Sequence, residues 1–179
     1  MSLPLCATIC HPAKIERKSV VEQTKPSQTQ WPNNGVEMYW NDYHMGFAKH
    51  AALKSKDSTQ GGAVAIGLHK QVVETGFNGP PRGVLDSPER RERPAKYLFA
   101  AHAEANLVAT AARARLEGTT VYVTHFCCSG CAKSLIQAGV SRVVGGGGVT
   151  SMPDEEFEAA SAMFAEAGVV VERLGGPDE

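Results

Sequence analysis

His102-Ala-Glu104 and Cys127-Cys128-Ser-Gly-Cys131 each head a helix-like stretch, and together they constrain this chain more than any other feature. Zinc in a catalytic site takes three protein ligands and keeps a fourth position for water. His102, Cys128 and Cys131 can supply the three. Cys128 and Cys131 stand three residues apart at the start of a predicted helix, a spacing that sets both sulfurs on one side of its first turn. The partial positive charge of a helix N-terminus also stabilises thiolates. His102 and Glu104 would point to nearly opposite sides of a regular helix. Both face one pocket only if His102 lies at the helix entrance, and that is the expectation. Glu104 is then a neighbour of the bound water, not a ligand. A bound zinc lowers the pKa of water from about 15.7 to roughly 7. Glu104 would take the released proton as a general base and return it as a general acid. The competing reading is a closed structural zinc knot. It needs a fourth ligand, His125 or Cys127, and leaves Glu104 without a task.

Composition narrows the class. The chain has 179 residues, 42% hydrophobic and 21% charged, with a formal net charge of −1. These values suit a soluble domain large enough to fold unaided. They lack the broad basic surface that long nucleic acids demand. Of five cysteines, Cys6 and Cys10 stand apart, and Cys127, Cys128 and Cys131 crowd into five residues. That crowding favours a metal and a reducing, cytoplasmic setting over a disulfide framework. No apolar run approaches membrane-spanning length. The stretch from Leu3 to Cys10 is short, contains Pro4, and is not read as a secretory signal.

Along the chain, residues 1–35 read as an extended or poorly ordered arm, rich in Lys, Gln, Ser, Thr and Pro over 12–35. The folded domain is expected over 36–179. Val36 to Leu53 carries apolar residues at helical spacing. Ala63–Gly67 and Val72–Phe77 read as strands joined by a turn. Residues 78–95, with four prolines and two glycines, read as a long irregular loop of the kind that is usually functional. A helix is predicted over His102–Leu116, then a strand over Val121–Thr124. A helix over Gly130–Ala138 stops at Gly139. Arg142–Val144 reads as a strand, Asp154–Ala167 as a helix and Val169–Glu172 as the last strand. Strands alternating with helices argue for a three-layer α/β sandwich with a partly parallel sheet.

His-x-Glu followed by Cys-x-x-Cys is a known signature of zinc deaminases. The chain resembles the deoxycytidylate (dCMP) deaminases of the cytidine deaminase superfamily over roughly Tyr39 to Leu174. The resemblance extends to Ala52-Leu-Lys-Ser-Lys-Asp57, to Gly62-Ala-Val-Ala65, and to Gly76-Phe-Asn-Gly-Pro-Pro-Arg-Gly83 with Asp86. It also covers Lys96-Tyr97, Thr120-Val-Tyr-Val-Thr124, Cys131-Ala-Lys-Ser-Leu-Ile-Gln-Ala-Gly139 and Ala167-Gly-Val-Val170. It implies an α/β/α sandwich with a mixed five-stranded sheet. It also implies zinc-dependent conversion of dCMP to dUMP with ammonia release, feeding thymidylate synthesis. Glu104 would carry the proton to the ring nitrogen and then to the leaving amine. Asn78 would bind the sugar hydroxyl, though an Asn between glycines is also a common turn residue. Ala103 and Phe126 would line the substrate site. Arg82, Arg90, Arg91, Arg93 and Lys96 are the nearest cations for a phosphate or an effector.

By the same resemblance the protein would be a homo-oligomer, with a hexamer favoured over a dimer or tetramer. It would answer to dCTP as activator and dTTP as inhibitor, which leaves room for Mg2+ accompanying a nucleotide effector. Neither a membrane nor a long nucleic acid is an expected partner. One departure is plain: Cys127 stands where the family normally has proline. It is either a rival zinc donor or a small apolar filler. Gly145–Gly148 is a second departure, read as a reshaped pocket rim or a flexible loop. Cys6, Cys10 and His11 are a weak accessory metal candidate. His44, His50 and His69 read as surface or helix-face residues, and Trp31 and Trp40 as packing anchors. The alternatives are a deaminase of another nucleotide, including one with a modified cytosine, and a non-catalytic zinc module.

Overall fold

The computed structural model describes residues 39–175. Expectations for the N-terminal arm, for Trp31, for the Cys6, Cys10 and His11 group, and for the first turn of the helix predicted from Val36 lie outside the described residues.

Five strands form one sheet: β1 (Gly62–Ile66), β2 (Val72–Phe77), β3 (Thr120–His125), β4 (Arg142–Gly148) and β5 (Val170–Arg173). Their order is β2-β1-β3-β4-β5. β1 pairs antiparallel with β2 and β3, whereas β3, β4 and β5 run parallel. The central strands are buried on both faces, and their side chains divide between two cores by the two-residue period of a strand. Val64, Ile66, Tyr122 and Val144 pack with Met45 and Ala48 of α1 (Trp40–Ala52). Ala63, Ala65, Val121, Val123 and Val143 face the other way. There they meet Ala103 and Leu107 of α4 (Ala103–Thr110), Leu135 of α6 (Ser129–Gln137) and Phe164 of α7 (Asp154–Glu166). The result is the expected α/β/α sandwich with a mixed sheet.

Several local expectations need correction. The stretch read as an irregular loop contains a helical turn, α2 (Pro88–Arg91), opened by a proline suited to the first helical position. A second turn, α3 (Lys96–Phe99), follows it. The helix expected over His102–Leu116 is broken. Ala111 and Ala112 are extended, and a separate turn, α5 (Arg113–Leu116), resumes beyond them. Alanine favours helix, so tertiary demands override propensity here. Arg113 Nε donates to Gln137 O, Arg115 donates to Val73 O, and Leu116 is fully buried. β4 runs on through Gly145–Gly148, which are strand and not loop. Of the three histidines read as surface or helix-face residues, His44 lies on the buried face of α1, whereas His50 and His69 are exposed. Trp40 stacks on His44 with ring centroids 5.3 Å apart but keeps 56% of its surface exposed.

Candidate metal centre and active-site cavity

The N-termini of α4 and α6 converge beside the end of β3. His102 is the N-cap of α4, with φ −70° and ψ 161°. Its side chain therefore leaves the backbone before the helical turn begins, and Glu104 follows inside the first turn. A close approach helps place that turn. A Cβ on Gly76 would stand 2.3 Å from Ala103 O, so only glycine lets α4 lie against β2 there. Cys128 is the N-cap of α6, and its sulfur accepts from the Cys131 N–H at 3.5 Å.

His102 Nδ1 lies 3.4 Å from the sulfur of Cys128 and 3.4 Å from that of Cys131. All three donor atoms fall within 4.8 Å of one another. The nitrogen-to-sulfur edge of a tetrahedral zinc site is about 3.6 Å, from ordinary Zn–S and Zn–N bond lengths. Donor type and spacing therefore fit zinc. Among the described residues, neither His125 nor Cys127 adds a donor to this group.

Electrostatics follow from burial and proximity. Cys128 is drawn down to about 4, first by the hydrogen bond from the Cys131 side chain, and Cys131 is raised in return. Glu104 is 6% exposed, and its Oε2 lies 3.7 Å from the Cys131 sulfur. Burial raises the pKa of its carboxyl. The Cys127 thiol is fully buried, and burial pushes it well up. It lies outside the donor group and fills core space.

A cavity of about 450 Å³ opens beside the donor set. His102, Glu104 and Cys128 line it, together with Ala103, Phe126 and Asn78. Both arms of the Asn78 amide already meet backbone: Oδ1 accepts from Gly61 N at 2.8 Å and Nδ2 donates to Thr59 O at 2.9 Å. The cation cluster expected around the loop is divided. Arg93 and Lys96 line this cavity, and Lys96 Nζ is buried in a 2.6 Å ion pair with Asp57. Arg90 and Arg91 line a neighbouring cavity of about 340 Å³, which Asn78, Asp57 and Lys96 separate from the first. There Asp86 pairs with Arg91 at 2.6 Å and with Lys56 at 2.8 Å. Arg82 is exposed and lines neither cavity. Sequence reasoning gave no site role to Asp57, Thr59 or the 149–152 segment, all of which line the larger cavity, and weighed His125 only as a metal ligand. Asp57 lay within a stretch resembling the family, but the other wall residues have no local signal because β4 and the loops deliver them.

The comparisons with known proteins agree with this geometry. The family model for the "Cytidine and deoxycytidylate deaminase zinc-binding region" matches residues 38–146. The "Uncharacterized deaminase in luxG 3'region" of Aliivibrio fischeri is 46% identical, covering 74% of this chain and 91% of its own. The mouse deoxycytidylate deaminase is 36% identical, covering 75% and 79%. The dCMP deaminase of cyanophage S-TIM5, solved with dCMP and dUMP, superposes with a TM-score of 0.57. At 22% identity, over 74% of this chain and 95% of that one, it shares the fold. Fold and site together define a hydrolytic deaminase. The chain belongs to the cytidine and deoxycytidylate deaminase family.

Proposed function

We propose that the protein deaminates dCMP to dUMP with release of ammonia, through a catalytic domain spanning residues 36–179. The observation that carries this reading is the buried Glu104 beside three zinc-competent donors at the foot of a nucleotide-sized cavity. The named deoxycytidylate deaminases among its relatives support the substrate.

His102 Nδ1, Cys128 Sγ and Cys131 Sγ would hold the zinc. When bound, zinc supplies acidified water at neutral pH. Glu104 takes one proton from the attacking water and delivers it to the ring nitrogen next to the amine-bearing carbon. A carbon–oxygen bond forms at that carbon, and the carbon–nitrogen bond to the amine breaks. Glu104 then takes the remaining proton from the added oxygen, which becomes a ring carbonyl, and passes it to the amine, which departs as ammonia. Burial keeps the carboxyl ready to hold a proton between these transfers. Ala103 and Phe126 shape the base end of the cavity, and Asn78 presents its remaining hydrogen-bonding capacity to the sugar. Arg93 and Lys96 are the cations nearest the phosphate in this scheme.

The neighbouring cavity, with Arg90, Arg91 and Lys56 on its wall, suits the polyphosphate of dCTP or dTTP. Exposed Leu85, Tyr97 and Leu98 support a homo-oligomer. Among the described residues no helix is long and apolar enough to cross a membrane.

A panel of cytosine nucleotides scored for ammonia, with and without a chelator, tests the substrate. Turnover of dCMP that stops on chelation is expected. Turnover of a different nucleotide replaces dCMP in the scheme, and silence on every nucleotide leaves only a zinc-binding module. Titration of dCTP and dTTP in the same assay tests regulation, and a flat response to both removes it.

A further inference from the structure

The strand leading to the metal ligands ends in a histidine that the reaction scheme leaves idle. His125 closes β3 three residues before Cys128. Even fully extended chain keeps the two backbones within about 11 Å. The His125 ring lines the active-site cavity beside Phe126.

Its orientation is set from two sides. On one side, the Gly62 N–H donates to Thr124 Oγ1 at 3.0 Å, and Thr124 Oγ1 lies 3.0 Å from His125 Nδ1. Among the described residues, the Thr124 hydroxyl hydrogen meets no other acceptor, so it goes to Nδ1. That assignment, made from the hydrogen-bond network, places the imidazole proton on Nε2. Burial holds the ring below its ordinary pKa, so it stays neutral at neutral pH. On the other side, Gly148 faces His125 in the parallel β3–β4 register. A Cβ there would stand 2.6 Å from the ring Cδ2 and 2.6 Å from Thr124 O. Gly148, at the end of the glycine run of β4, is thus the seat that admits this ring.

We propose that His125 is a specificity-determining residue whose Nε2–H donates a hydrogen bond to the ring carbonyl of the bound pyrimidine. The proposal rests on the cytosine-nucleotide reading above. Nε2 makes no hydrogen bond among the described residues. A neutral donor matches a neutral carbonyl, and the cation Arg93 of the same cavity remains for the phosphate. A donor that only the substrate satisfies discriminates against analogues lacking the acceptor, because it is then left unpaired.

The test compares kcat/KM for dCMP and its 2-thio analogue, whose sulfur accepts poorly, in wild type, His125→Leu and His125→Phe. Zinc content and Tm are measured alongside. Wild type should prefer the oxygen substrate by roughly tenfold, the worth of one neutral hydrogen bond. Both variants should lose about that factor on dCMP, mainly through KM, and treat the two substrates alike with zinc retained. His125→Phe fills a ring-shaped seat and decides the matter if the leucine variant does not fold. A variant that keeps the oxygen-over-sulfur preference overturns the proposal, as does a true substrate without a ring carbonyl. If another cytosine nucleotide proves to be the substrate, the same oxygen and sulfur pair is made on it. Failure of the dCMP reading then leaves the His125 test intact.

Discussion

His44 and Glu104 are buried on opposite sides of the central sheet, one in α1 and the other in α4. Burial pushes both toward neutrality, lowering the histidine and raising the carboxyl. What surrounds them differs. His44 lies among the rings of Trp40, Tyr43 and Tyr122. Its Nε2 is 3.3 Å from Lys70 O, and Nδ1 has no partner among the described residues. Among the described residues, the group of metal-competent side chains does not include it. Glu104 opens on a cavity beside three donors spaced for one ion. A shifted pKa therefore marks burial at both places, and chemistry only where ligands and open space converge.

The comparison breaks most completely if the donor set is not what makes the Glu104 side reactive. His102→Ala or Cys131→Ala should lose zinc and all measurable turnover; a variant that retains full zinc by metal analysis counts against the ligand assignment. Next in size is Glu104→Gln, which should keep zinc and fold yet lose about 10²- to 10⁴-fold in kcat. Near-normal kcat would remove its proton-carrying role. A third buried ionisable group sharpens the contrast because it is paired. Lys96→Met would strand Asp57 in a nearly dry site, at a cost of about 3–5 kcal/mol by denaturant unfolding. A loss below about 1 kcal/mol would place that pair with ordinary surface ion pairs.

The smallest effect belongs to His44. Its folded pKa lies below the ordinary 6.5, so at acid pH the unfolded chain binds a proton that the native state refuses. Its contribution to stability is complete above about pH 6.5 and is lost as pH falls below that value. His44→Phe should flatten part of the decline in Tm between about pH 7.5 and 5.5. An unchanged slope would mean that His44 titrates as an exposed imidazole.

The clustering of His102, Cys128 and Cys131 was legible because zinc chemistry demands fixed residue types at short spacings. The sandwich was legible because the strand and helix periods are local. What stayed hidden depends on partners distant in sequence. Ala111 and Ala112 read as helix, yet Arg113 and Arg115 anchor the next turn to Gln137 and Val73. Gly145–Gly148 read as a loop or rim, but the close approach of residues 124–126 to Gly145, Gly146 and Gly148, and of Gly175 to Gly147, is what favours glycine in a strand there. The cations at 82–96 looked like one cluster, and the fold sends them to two cavities and to solvent. His44 read as a surface or helix-face residue, and nothing local announces that α1 turns that face onto Tyr122.

The central claim is a three-ligand metal site with one position left for water. X-ray absorption at the zinc edge of the purified protein tests it most directly. The predicted shell is two sulfurs, one imidazole nitrogen and one further light atom that exchanges when a nucleotide is added. A shell completed by a third sulfur or a second imidazole, from Cys127 or His125, would contradict it.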